Sequence, residues 1–235
     1  MTESRRWPNA FNEAPKWAVE DPSLFDEEIR RIFEGPLWHL VGHRAELEAP
    51  GRFKTLQLGR TPLILVHGTD GHIRALHNAC AHRGTSVETR FRGDAAGFEC
   101  PYHRWAYDLD GALVRCPGQN DFPSTFSRAD NGLRTAHLAE LAGLLFVSLH
   151  ADPPDLDDWL GDFTEHLETS VGEDGNLRLL GYQKVIFDAN WKIYMDDEGY
   201  HAPLLHKAFQ ILQWKGGSGS QVRHAHGHRV TRSVS

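Results

Sequence analysis

The sequence predicts an α+β protein: a small all-β domain over residues 38–150, then helices and a strand over 151–235. Three observations predict this. Short apolar runs separated by Gly, Pro and Asp fill the first region, the pattern of an all-β domain. Apolar residues at helical spacing lie on either side of it, at 24–34 and 156–167. Asp152-Pro153-Pro154 punctuates the passage between the two regions.

In chain order, 1–37 is a polar segment carrying aromatics, from Trp7 to Phe33. Pro22-Ser23 opens its helix over 24–34, with Leu24, Phe25, Ile29, Ile32 and Phe33 as the apolar positions, and Gly35-Pro36 ends it. Strands are predicted at Trp38–Val41, Phe53–Leu58, Leu63–His67, Ile73–Asn78, Gly97–Cys100, Trp105–Asp108, Ala112–Arg115 and Leu144–Leu149. Asp110-Gly111 is a hairpin turn, since Gly accepts the positive φ that such turns need. Beyond the boundary, Leu156–Leu167 reads as helix, Leu177–Asp188 as strand, and 190–212 as a helix interrupted at Pro203. Lys215-Gly-Gly-Ser-Gly-Ser220 is flexible by composition. His224, His226 and His228 alternate, which on a strand places all three on one face; metal binding by the His-rich tract is the alternative.

Composition narrows the function. The chain has 235 residues, 40% of them apolar, and a formal charge of −7. An acidic balance excludes the basic footprint of a nucleic-acid binder. No apolar stretch is long enough to span a bilayer, and the N-terminus lacks the apolar core of a signal peptide. Three cysteines make no disulfide framework and point to a reducing compartment, hence a cytoplasmic protein. Fifteen histidines, however, point to metal.

Two motifs in the β region carry that signal. Cys80-Ala81-His82 and Cys100-Pro101-Tyr102-His103 each offer one thiolate and one imidazole, with residues 83–99 between them. A structural Cys₂His₂ zinc site is one reading. Zinc motifs usually pair Cys with Cys and His with His at short spacing, whereas each loop here is mixed. A [2Fe–2S] cluster accounts for the mixture, because one iron takes both Cys and the other both His. Cys116 is left over and reads as a small buried hydrophobe.

The stretches Asn78-Ala79-Cys80-Ala81-His82-Arg83-Gly84 and Cys100-Pro101-Tyr102-His103-Arg104-Trp105-Ala106-Tyr107 resemble the Rieske domain of ring-hydroxylating oxygenase α subunits. Trp38-His39-Leu40-Val41-Gly42-His43 with Pro50-Gly51 is similar to that family's entry strand, and Asp108-Leu109-Asp110-Gly111 to the turn after its second loop. Thr85 and Tyr102 stand where cytochrome-type Rieske proteins would carry a second cysteine pair. Arg104 is a departure, since the family usually has a small residue there, often Gly. It lies beside a ligand loop, where it would bear on reductant docking or cluster potential.

A second constellation lies at 190–206, from Asn190-Trp191-Lys192 to His206. Two His and one carboxylate on one face of an iron leave open positions for O₂ and substrate. On a straight helix His201 and His206 would stand about 140° apart, so a bend at Pro203 is needed to bring both to one ion. Taken alone, the pair also fits a solvated helix surface. Asn190-Trp191-Lys192, Tyr200-His201 and His206 resemble the iron segment of the same family, which implies a mononuclear Fe(II) at His201 and His206. Glu198 resembles the carboxylate that links the two metal centres. The stretch from Asn190 to His201 is shorter than the family pattern, which leaves Asp197 and Asp196 as alternates. No acid follows Glu198, so the family's third iron ligand, a downstream carboxylate, is missing and the chain reads as an N-terminal portion.

The resemblance implies a terminal oxygenase component. Its expected architecture is a Rieske [2Fe–2S] domain followed by the start of an antiparallel-sheet catalytic domain, with 1–37 packed on the latter. Electrons would come from a reductase, with or without a ferredoxin. Aromatic cis-dihydroxylation is the first expectation; monooxygenation or demethylation, or a bare electron-transfer module, are the alternatives. The expected assembly is a homotrimer or an α₃β₃ complex with a small β subunit.

Overall fold

A computed structural model describes residues 5–10, 13–172, 177–196 and 218–234. Its contacts divide the chain into two units, one of Ile29–Trp159 with Leu167–Leu180, the other of Met1–Glu28, Leu160–His166 and Gly181–Ser235.

Among its described residues the first unit has ten strands in two sheets. The larger is antiparallel and has seven: β1 (His39–His43), β2 (Arg52–Leu58), β3 (Thr61–His67), β4 (Ile73–His77), β5 (Arg92–Asp94), β9 (Thr135–Leu141) and β10 (Leu144–Ser148), ordered β1-β10-β9-β4-β3-β2-β5. The smaller has β6 (Phe98–Glu99), β7 (Ala106–Tyr107) and β8 (Leu113–Arg115). Every strand predicted in this region is present, with ends moved by a residue or two. Two were not predicted, β5 and β9. The first is short. The second, Thr-Ala-His-Leu-Ala-Glu-Leu, has few β-formers and owes its ladder to β10 and β4.

Strand β3 explains why the core has two halves. It is buried from Leu63 to His67, on both faces. Ile64 and Val66 join Phe53, Phe98, Trp105 and Tyr107 on the side of the metal-ligand motifs. Leu63 and Leu65 point oppositely, as strand alternation requires, and pack with Leu47, Leu145 and Val147. Gly111 has φ +88°, and Asp108 Oδ1 accepts from the N–H groups of Asp110 and Ala112, as expected for the β7–β8 turn. Cys116 is buried in the first half-core, and burial pushes its thiol pKa up.

The helices are α1 (Trp17–Glu20), α2 (Pro22–Glu28), continued by a π-turn over Ile29–Phe33, then α3 (Leu156–Leu160), α4 (Thr164–Val171) and α5 (Trp191–Asp196). A 3₁₀ turn, Gly161–Phe163, divides the predicted 156–167 helix. The rest of the predicted 190–212 helix lies outside the described residues.

Two expectations are corrected. No ladder runs through 177–188 among the described residues, and Leu180 and Ile186 are largely exposed. Their β-favouring composition is a preference for a pleated, half-buried surface, and no adjoining strand supplies that surface there. The three alternating histidines do not share a strand face. They occupy the turn between β11 (Ser218–Arg223) and β12 (Arg229–Val234), where Ala225–Gly227 forms a 3₁₀ turn and His226 has φ +56°. No helix among the described residues is long and apolar enough to cross a membrane.

Candidate metal centre

The two loops have the same backbone design. The Cys80 N–H donates to Thr85 O (2.8 Å), and the Cys80 carbonyl accepts from the Gly84 N–H (2.8 Å). The Cys100 N–H donates to Trp105 O (2.8 Å), and the Cys100 carbonyl accepts from the Arg104 N–H (3.0 Å). Each turn closes through a residue with positive φ, +74° at Gly84 and +59° at Arg104.

Asn78 ties off the first loop. Its Oδ1 accepts from the Val87 and Glu88 N–H groups, and its Nδ2 donates to Glu88 O. The second loop is the β6–β7 connection, fixed by the pairing of Glu99 with Ala106.

These loops bring all four predicted ligands to one end of the unit's first half-core. His82 Nδ1 and His103 Nδ1 stand 3.1 Å apart. Two nitrogens each about 2.0–2.1 Å from one ion stand about 3 Å apart when the angle between them is near 90°. Desolvation, then the neighbouring His103 and Arg83, lower the His82 pKa, which favours the neutral ring that metal ligation requires. Trp105 stacks on His82 (centroids 5.0 Å, 12°) and is itself wedged by Phe122 and Phe126.

The thiols are buried, whereas the imidazoles are half-exposed. Tyr107 accepts from the Ala81 N–H (3.1 Å), and its hydroxyl lies 3.1 Å from Cys80 Sγ. Burial and the Cys80 contact raise the phenol's pKa, and in its bond with Cys80 Sγ either atom can be the donor. Among the described residues no three His, Cys, Asp or Glu side chains converge as a single-ion site requires. A two-iron cluster asks for pairs: two thiolates on one iron and two imidazoles on the other. The donor set fits that demand.

Arg104 pairs with Glu99 (3.0 Å), which also holds Arg115. The glycine often found at this place has a backbone reason, because positive φ costs any residue with a Cβ about 1–2 kcal/mol.

Of the second constellation, Asp197, Glu198, His201 and His206 lie outside the described residues, and Asp196 is described only as the end of α5. The approach to it is described. Asn190 Oδ1 caps α5 by accepting from the Lys192 N–H, and its Nδ2 donates to Val19 O. Lys192 Nζ donates to both oxygens of buried Glu28 (2.6 Å each), and Trp191 Nε1 donates to one of them (3.0 Å). The sequence reading missed Glu28. Its signal is an acid four residues after Leu24, on the apolar stripe of a helix.

Comparison with known proteins agrees with this geometry. Residues 37–127 match the Rieske [2Fe–2S] domain family. The chain is 38% identical over 189 residues to a glycine betaine monooxygenase oxygenase subunit of Chromohalobacter salexigens, covering 80% of this chain and 41% of the relative. It is 30% identical to a terephthalate 1,2-dioxygenase terminal oxygenase component subunit alpha 2 of Comamonas sp, covering 97% and 58%. A naphthalene 1,2-dioxygenase of Rhodococcus sp. bound to indole superposes with a TM-score of 0.75 at 32% identity, covering 83% and 46%. The fold and the paired loops thus define residues 37–127 as a Rieske [2Fe–2S] domain. More particularly, the chain is homologous to the large oxygenase subunits of aromatic ring-hydroxylating dioxygenases, and it spans 41% to 58% of the length of these relatives.

Proposed function

We propose that this chain is the cluster-bearing part of the terminal oxygenase component of a Rieske non-heme iron system. The system would take electrons from a reductase, with or without a ferredoxin, and use O₂ to hydroxylate an aromatic substrate, by cis-dihydroxylation. The observation that carries the reading is the pair of equivalent loops with their imidazole nitrogens 3.1 Å apart.

Cys80 and Cys100 are the residues for one iron, His82 and His103 for the other. When bound, such a cluster stores and passes one electron, and imidazole ligation raises its potential. The remaining work is done by this chain. The Tyr107 hydroxyl stabilises sulfur charge at Cys80, buried Trp105 excludes water from one face of His82, and the half-exposed imidazoles give a donor protein access.

His201 and His206 are the residues for a mononuclear Fe(II), with Glu198, or Asp197 or Asp196 in its place, as the carboxylate between the two centres. The anchoring of Asn190, Trp191 and Lys192 gives the segment leading there a defined start. A homotrimer or an α₃β₃ assembly would place one subunit's cluster beside the next subunit's iron.

Iron and acid-labile sulfide are measured on anaerobically purified protein, with zinc alongside. The reading expects about two sulfides with more than two irons per chain, two of them as a [2Fe–2S] centre. His201→Ala should remove only the excess iron. Zinc without sulfide overturns the cluster, and loss of the cluster in His201→Ala overturns the two-centre arrangement. The relative named as a monooxygenase supplies a second reading, insertion of one oxygen atom. Isotope-labelled O₂ separates the two by the number of labelled atoms in the product.

A further inference from the structure

We infer that His166 and His224 form a separate site for an exchangeable divalent transition-metal cation of the Zn²⁺ or Ni²⁺ type. His166 is on α4, and His224 follows β11 at the hairpin turn; both belong to the unit that does not contain the cluster loops.

The first observation is geometric. The two rings have centroids 5.0 Å apart at 59°. The His82–His103 pair, whose nitrogens are spaced for one ion, has centroids 4.6 Å apart at 66°. The second is an orphaned atom. His224 Nε2 is buried and, among the described residues, has no hydrogen-bond partner, although His224 itself is only half-buried. A buried ring nitrogen that no protein group pairs has lost part of its solvation, and a cation there would restore it. The third is the rigidity of the surroundings. The His224 N–H donates to His228 O (2.8 Å), the His228 ring stacks on Phe163 (4.9 Å, 12°), and Phe163 also borders His224 and His166.

Neutral imidazole suits Zn, Ni and Cu. No carboxylate or thiolate belongs to the pair, so the donor set differs from both iron sites. Three protein donors do not converge among the described residues, so water completes the coordination and the ion exchanges. The consequence is a clamp between the first turn of α4, Thr164–His166, and the β11–β12 hairpin of the same unit, one that tightens when the ion binds.

The test is a calorimetric titration of the cluster-loaded full chain with Ni²⁺, together with thermal unfolding with and without the ion. Binding should weaken at least tenfold in both His166→Ala and His224→Ala, and Ni²⁺ should then no longer raise the unfolding midpoint. Binding should persist in His226→Ala and in the His201→Ala/His206→Ala double variant. If His224→Ala fails to fold, judged by its cluster spectrum, His224→Gln decides by the same criterion. Absence of binding in the parent chain overturns the inference, as does an affinity in either the His166 or the His224 variant equal to the parent's. Loss confined to His226→Ala would mean an exposed His tract, and loss confined to the double variant would mean the iron site; either result also overturns it.

Discussion

Gly84 and Arg104 occupy the same place in two loops of one backbone design. Each N–H closes on the carbonyl of the cysteine four residues before it, and each has a positive φ. Glycine holds that conformation without strain, whereas arginine does not. Arg104→Gly should therefore stabilise the cluster-loaded protein by about 1 kcal/mol, since the exposed Glu99 pair it gives up is worth little. Arg104→Ala keeps the strain and should show no gain. Thermal unfolding of the two variants makes the comparison.

Tyr107→Phe removes the hydroxyl next to Cys80 Sγ and leaves the ring in the core. A hydrogen bond to sulfur favours the reduced cluster, so the potential should fall. A bond worth about 1 kcal/mol corresponds to about 40 mV in a one-electron couple. Spectroelectrochemical titration reads the shift, and an unchanged potential would remove Tyr107 from its assigned role.

Glu46 and Lys54 form a pair in which both side chains are at most 10% exposed, at 2.6 Å, while Glu46 also accepts from the His43 N–H. Lys54→Met leaves a buried carboxylate without its ammonium and should cost about 3 kcal/mol in urea unfolding. Adding Glu46→Leu should recover most of the loss, because no uncompensated charge is then buried.

Glu28→Gln should loosen the start of the second constellation. It removes the charge that holds Lys192 and weakens the acceptor of Trp191. A charge-assisted bond worth about 2 kcal/mol would protect amides about thirtyfold against local opening. Hydrogen exchange over Trp191–Asp196 should accelerate by about that factor, with exchange in β3 unchanged.

Asp21 gives a pH signature. Hydrogen bonding from Ser23, with help from Arg5 and the Leu24 N–H, lowers its carboxyl pKa to about 2. A depressed folded-state pKa contributes stability above the unfolded value of 3.8, and that contribution is lost as pH falls toward 2. Asp21→Asn should flatten the acid limb of the stability curve in that window: the variant lacks the contribution at neutral pH, where it should be less stable than the parent, and the two should converge as pH falls toward 2. Acid titration of the two proteins checks it.

Much of this was legible in the chain. The candidate donor types were, because Cys80 with His82 and Cys100 with His103 lie within loops so short that their spacing decides which donor types each can present. Turns such as Asp110-Gly111 were legible for the same local reason. Strand β9 was not, since its place comes from its neighbours and not from its residues. Nor was the turn at His224–His228, because alternation in sequence means one face only where a ladder exists to define a face.

The sequence by itself determined the chemistry on offer: two thiols and two imidazoles in two mixed loops, the donor set proposed for two irons. Tertiary structure decided what meets what. The β6–β7 ladder and the Asn78 tie bring the two loops together, Tyr107 comes to Cys80 across the half-core, and Glu28 reaches Lys192 from a helix more than a hundred residues earlier in the chain. The physical reason is range. Donor type and turn conformation are settled by a few bonds of covalent chain, whereas burial and long-range contact are settled by which apolar faces and backbone ladders find each other when the whole chain folds.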